Sequence, residues 1–112
     1  MEIQEIENRI LSSFEIDASL LSASSDNEER FKSMRDLLIR RVEELAEKDM
    51  EKLMWILYRI DVSEKRLHDT MQKTPADKFG STIADLIIER QIKKIETRKQ
   101  FGGKENDWSF DE

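Results

Sequence analysis

Three glycines and one proline in 112 residues leave this chain almost without the residues that tight turns need. A two-residue hairpin turn requires positive φ, which glycine and asparagine supply, and proline presets the first position of many other turns. An all-β chain of this length would need many such connections. The sequence is therefore predicted to be all-α, a compact bundle of four or five helices, possibly dimeric. There is no cysteine, which excludes disulfides, thiolate metal sites and thiol nucleophiles and points to a reducing compartment, with the cytoplasm as the expected location. Met1 to Glu5 are acidic where a secretory leader would be basic and then apolar. No apolar run approaches the ~20 residues of a membrane span, so no membrane association is expected.

Apolar periodicity places the helices. Ile3, Ile6, Ile10 and Phe14 recur at spacings of three and four, a stripe that needs something to pack on. Glu15 to Ser25, with four serines and the Leu20-Leu21 pair, reads as a connecting loop. Residues 1–25 are thus expected to be a loosely attached or interface-forming part of a single domain over 1–103. Ser25-x-x-Glu28 has the form of a capping box, and Phe31, Met34, Leu38, Val42 and Leu45 continue a helix to about residue 47. Asp49 offers the next cap.

Leu53 to Tyr58 are apolar all round, which predicts a helix enclosed by its neighbours at 26–47 and 75–101. Trp55 is its expected anchor, and truncating an enclosed ring would cost about 3 to 5 kcal/mol. Ser63 caps a short fourth helix carrying Leu67 and Met71, with Val62 placed to staple against Leu67. Thr74-Pro75 reads as the cap and first position of a long fifth helix over 75–101. Gly102-Gly103 would end that helix, leaving an acidic, mobile tail at 104–112.

The net charge of −6 is unevenly spread. Residues 1–29 carry 1 basic and 8 acidic side chains, residues 30–100 carry 17 and 13, and residues 101–112 carry 1 and 4. Acidic ends therefore flank a mildly basic body, which favours solubility and allows the ends to fold back on the body.

Constellations that carry chemistry are scarce. His68 is the one histidine, which excludes multi-histidine metal sites; at an outer position of a short helix beside Asp69 it reads as a solvated or capping residue, and Lys65 stands where a Glu-x-x-His motif would need its carboxylate. The pairs Glu43/Glu47 and Asp85/Glu89 have basic neighbours and read as solvated ion-pairing faces. Gly80 is isolated, so no phosphate loop exists. No catalytic, cofactor or metal residues are assigned, and the chain is expected not to be an enzyme. Two stripes on the fifth helix remain. Ala84, Ile88, Ile92 and Ile95 form an apolar stripe in excess of what a narrow core needs, predicting contact with another protein or a second copy. Arg90, Lys94 and Arg98, at i, i+4 and i+8, form the alternative, a basic flank for nucleic acid, weakened by Glu89 and Glu96 and by the overall acidity.

Leu57-Tyr58-Arg59-Ile60-Asp61-Val62-Ser63-Glu64, followed by Ile83 to Gln91 and Lys94 to Arg98, resembles a group of short, uncharacterised bacterial helical proteins. The resemblance covers the second half of the chain and implies a bacterial, cytoplasmic helical protein, with no activity or site residues attached.

Overall fold

The computed structural model describes residues 3–100, with side chains as far as Arg98; the expected Gly102-Gly103 cap and acidic tail at 104–112 lie outside the described residues. The described residues are all-α: α1 (Ile3–Ser13), α2 (Asn27–Lys48), α3 (Met50–Arg59), α4 (Glu64–Lys73) and α5 (Phe79–Gln100), with single 3-10 turns at Ala18–Leu20 and Ala76–Lys78. No described helix is long and apolar enough to cross a membrane.

The two 22-residue helices α2 and α5 form the most extensive pairing, and α1 lies against both. On α2 the buried stripe is Met34, Leu38, Val42 and Leu45, spaced as one helix face. On α5 burial runs nearly around the helix, through Ile83, Ala84, Leu86, Ile87, Ile88 and Ile95, because α1, α2 and α4 all pack on it. Gly80 lets this pair begin close together. A Cβ added there would stand 2.5 Å from Glu43 Cγ of α2.

Within the segment 1–25, expected to be loosely attached or to face a partner, residues 6–14 instead complete the core. Ile6, Ile10 and Phe14 are buried with the α2 and α5 side chains, Phe14 entirely. Polar contacts fix its register. Arg30 of α2 donates to both oxygens of the buried Glu7, at 3.1 and 2.7 Å, and Arg9 Nε donates to Gln91 Oε1 of α5 at 3.0 Å. Arg98 pairs with Glu5, so α1 runs antiparallel to α5 with its start beside the last turn of α5.

Two helix ends explain how so few glycines suffice. Glu15 and Asp61 take φ of 56° and 68°, the left-handed geometry that normally favours glycine. At the first, Ile16 N donates to Leu11 O and Glu15 N to Ser12 O; at the second, Val62 N donates to Leu57 O and Asp61 N to Tyr58 O. Both are Schellman closures with an apolar residue following the reversal. The carboxylates a glycine would lack are used. Glu15 reaches Lys52 at 2.6 Å and Arg41 at 3.5 Å, and Asp61 reaches Arg90 at 2.7 Å. The hydrogen bond and charge of Lys52 hold the Glu15 carboxyl below its ordinary value, outweighing partial desolvation.

Other local expectations change in detail. The α2 cap is Asp26 and not Ser25, because Asp26 Oδ1 accepts at 2.9 Å from Glu28 N, the amide that a Ser25 cap would need. Ser63 and Asp49 cap as predicted, accepting from Arg66 N and Lys52 N. The Thr74 hydroxyl instead turns back to donate to Thr70 O, and Pro75 opens the 3-10 turn ahead of α5. Leu21 packs on the core while Leu20 stays exposed.

Candidate functional site

The central correction concerns α3. Its apolar block was expected to lie hidden with Trp55 as anchor, but α3 is an edge helix packed chiefly on α2. One stripe, Leu53, Ile56, Leu57 and Ile60, is buried. The other half of the block turns outward: Trp55 is 56% exposed, Tyr58 73% and Met54 40%. A helix at the edge of a bundle buries the face that meets its main neighbour and leaves the opposite one open, whatever its composition. The centre of the bundle belongs to α5.

Two grooves flank the outward face of α3. Between α3 and α4 is an apolar groove of about 410 Å³, lined by Met54, Leu57, Tyr58, Val62, Leu67 and Met71, with Glu64 and His68 at its edge. His68 is exposed there, and Met71 is 37% exposed. Between α1 and α3 is a more polar groove of about 350 Å³, lined by Asn8, Arg9, Ser12 and Ser13 on one side and Lys52, Trp55 and Arg59 on the other. The Arg59 guanidinium stacks 5.0 Å from the centre of the Trp55 ring. Trp55 thus lines the cationic groove, while Met54 and Tyr58 of the same helix line the apolar one.

The two stripes singled out on α5 are used otherwise. Ala84, Ile88 and Ile95 are buried and Ile92 is partly buried against the core, so the stripe meets α5's own neighbours and offers no outer surface. The apolar excess arises because α5 is surrounded by three helices. The basic flank does not form an open line of charge either. Arg90 pairs with Asp61, Arg98 with Glu5, and Lys94 is buried. The carboxylates of the Asp85/Glu89 pair are likewise engaged, Asp85 by Arg35 at 2.8 Å and Glu89 by Arg66. The hydrogen bond to Asp85 raises the Arg35 pKa above its ordinary value. Among the described residues no group of three or more histidine, cysteine, aspartate or glutamate side chains is placed to hold a metal ion.

Sequence periodicity missed the outward face because an all-apolar block gives no phase. Met54, Trp55 and Tyr58 alternate with buried positions, and both sets look alike in composition. The exposure of Trp55 reverses the sign of one expectation. Trp55→Ala should lower stability by only about 0.5 to 1.5 kcal/mol, chiefly the loss of the Arg59 stack and some partial burial. Urea denaturation measures this, and a loss above about 3 kcal/mol would show the ring to be enclosed.

Comparison of the chain with protein-family models, curated proteins and solved structures gives no match.

Proposed function

We propose that the protein is a protein-interaction module whose contact face is the apolar groove between α3 and α4. The observation that carries this reading is the exposure of Met54 and Tyr58 on the outward half of the apolar block, which line one groove together with Met71 of α4. Contiguous exposed apolar surface on a chain otherwise rich in solvated charge marks a binding face, because each uncovered large side chain forgoes burial worth about 1.5 to 3 kcal/mol. Methionines at both walls suit a surface that adapts to its ligand, since the unbranched thioether repacks at low cost. An apolar groove between two helices is the kind of surface that takes the apolar stripe of an amphipathic helix from another protein.

The test is affinity capture with crosslinking from native cells, comparing the unmodified protein with the double variant Tyr58→Glu and Met71→Glu. Both positions are exposed, so the variant should keep its helical circular dichroism while losing the captured partner by at least about tenfold, the effect of some 1.4 kcal/mol. Crosslinks should map to α3 and α4. Capture unchanged by the two charges would remove the groove from the interface. Sedimentation assigns the occupant: a mass constant at 13.3 kDa as concentration rises leaves the face to a different protein, and a doubling assigns it to a second copy.

A further inference from the structure

We propose that α4 is a hinged lid on the α3–α4 groove: it leaves α5 and melts as one unit while the rest of the bundle stays folded, and in doing so uncovers the floor of the groove. The lid stands on its own observations. Its use, admitting an apolar helix of a partner, rests on the reading of the groove as a contact face.

A single side chain holds α4 down. Eight of its ten residues are exposed, Thr70 is half-buried, and Leu67 alone is buried. By contrast α2 buries Met34, Leu38, Val42 and Leu45 along one face, and apolar stabilisation grows with the area removed from water. The helix packs chiefly on α5, where Arg66 also pairs with Glu89. Both of those side chains are about half exposed, and an ion pair in that setting adds little. Nor can α4 stand alone, because a helix this short does not persist in water without packing. Leaving α5 and losing helical structure are therefore one event.

Both ends of α4 are built as joints. The caps Ser63 and Thr74 each leave helical geometry with ψ of 127°, and Pro75 follows with ψ of 149°. Hinges of this kind need only a few residues at the ends of an element. The joint next to α3 is fastened to the bundle, since Val62 N donates to Leu57 O at 3.0 Å and Asp61 pairs with Arg90 of α5 at 2.7 Å. The end of α3 is thus held independently of the helix that follows it.

What the lid covers is apolar. Leu57 and Val62 line the groove together with Leu67, yet they are only 2% and 8% exposed. Val62 stands just before the Ser63 cap and Leu67 four residues after it, the two positions whose side chains pack together across a helix start. Loss of α4 would bare Val62 beside Met54 and Tyr58, which are already exposed. A helix presenting apolar side chains four residues apart would then replace Leu67 and Met71.

Native-state hydrogen exchange on the full chain, followed by NMR, reads the opening with no partner present, so its outcome is separate from whether the groove binds anything. The amides of residues 68–72 should share one opening constant, at least about a hundredfold larger than that of Ile87 and Ile88. Ile10→Val weakens the core away from α4 and should speed exchange at Ile87 and Ile88 by roughly two- to tenfold while leaving residues 68–72 unchanged. Because the chain has no native cysteine, Val62→Cys supplies a single thiol. Its labelling by dithionitrobenzoate should give the opening constant of residues 68–72 to within about threefold. An equal rise at residues 68–72 on Ile10→Val would show that α4 opens only with the whole bundle, and overturns the proposal. A Val62→Cys thiol that reacts with the opening constant of Ile87 and Ile88 overturns it too, because the groove floor then stays covered until the bundle unfolds.

Discussion

Ile88→Glu should leave the protein unfolded at room temperature. Ile88 is buried on the α5 face surrounded by α1, α2 and α4. Removing the isoleucine packing alone is worth about 2 to 5 kcal/mol. The glutamate then either keeps its charge in an apolar site or takes up a proton, and each adds several kcal/mol. A total above about 5 kcal/mol matches much or all of the stability of a domain this size. Ile92→Glu in the same chain should deepen the effect. From the sequence, this pair would have been chosen to break a dimer while sparing a helical monomer. Far-UV circular dichroism with a urea titration distinguishes the two outcomes. A double variant that stays helical with an unchanged midpoint would show the stripe to be surface after all.

Phe14→Ala should cost about 3 to 5 kcal/mol, since the ring is fully enclosed and the surrounding helices can close only part of the space it leaves. The size of this effect measures how firmly α1 belongs to the core. Arg41 Nε also donates to the Phe14 carbonyl at 2.9 Å, so the backbone at that point is held from α2 as well. A loss below about 1 kcal/mol by urea denaturation would return residues 3–14 to the status of a loosely attached arm.

Much of the fold was legible because amphipathic helices write their inner face into the sequence at fixed spacing. Met34, Leu38, Val42 and Leu45 were identified as one stripe, and they form one buried stripe. Ser63 and Asp49 were legible as caps because their side chains act within three residues of themselves. What escaped depends on neighbours far along the chain. Whether the apolar excess of α5 was surface or core turned on how many helices surround it, and that number is a property of topology. The Trp55 face was hidden for the opposite reason: an apolar residue carries no mark of being left uncovered. Glu15 and Asp61 escaped because a reversal was sought at glycine, whereas here carboxylates occupy the left-handed positions and reach lysine and arginine on other helices. The basic flank was misread in the same way. Its partners Asp61 and Glu5 stand 29 and 93 residues from Arg90 and Arg98.

The antiparallel pairing of α1 with α5 also sets an order of events during synthesis. The ribosome releases Ile6, Ile10 and Phe14 first and the isoleucines of α5 last, although the two sets share one core. Helices α1, α2 and α3 can meet early, but the part of the α1 face that packs on α5 stays uncovered until α5 has emerged. Contacts of such long sequence separation close slowly. The nascent chain therefore makes the residues between α1 and α5 with that part of the face bare, which is the interval in which a holding chaperone would have something to grip.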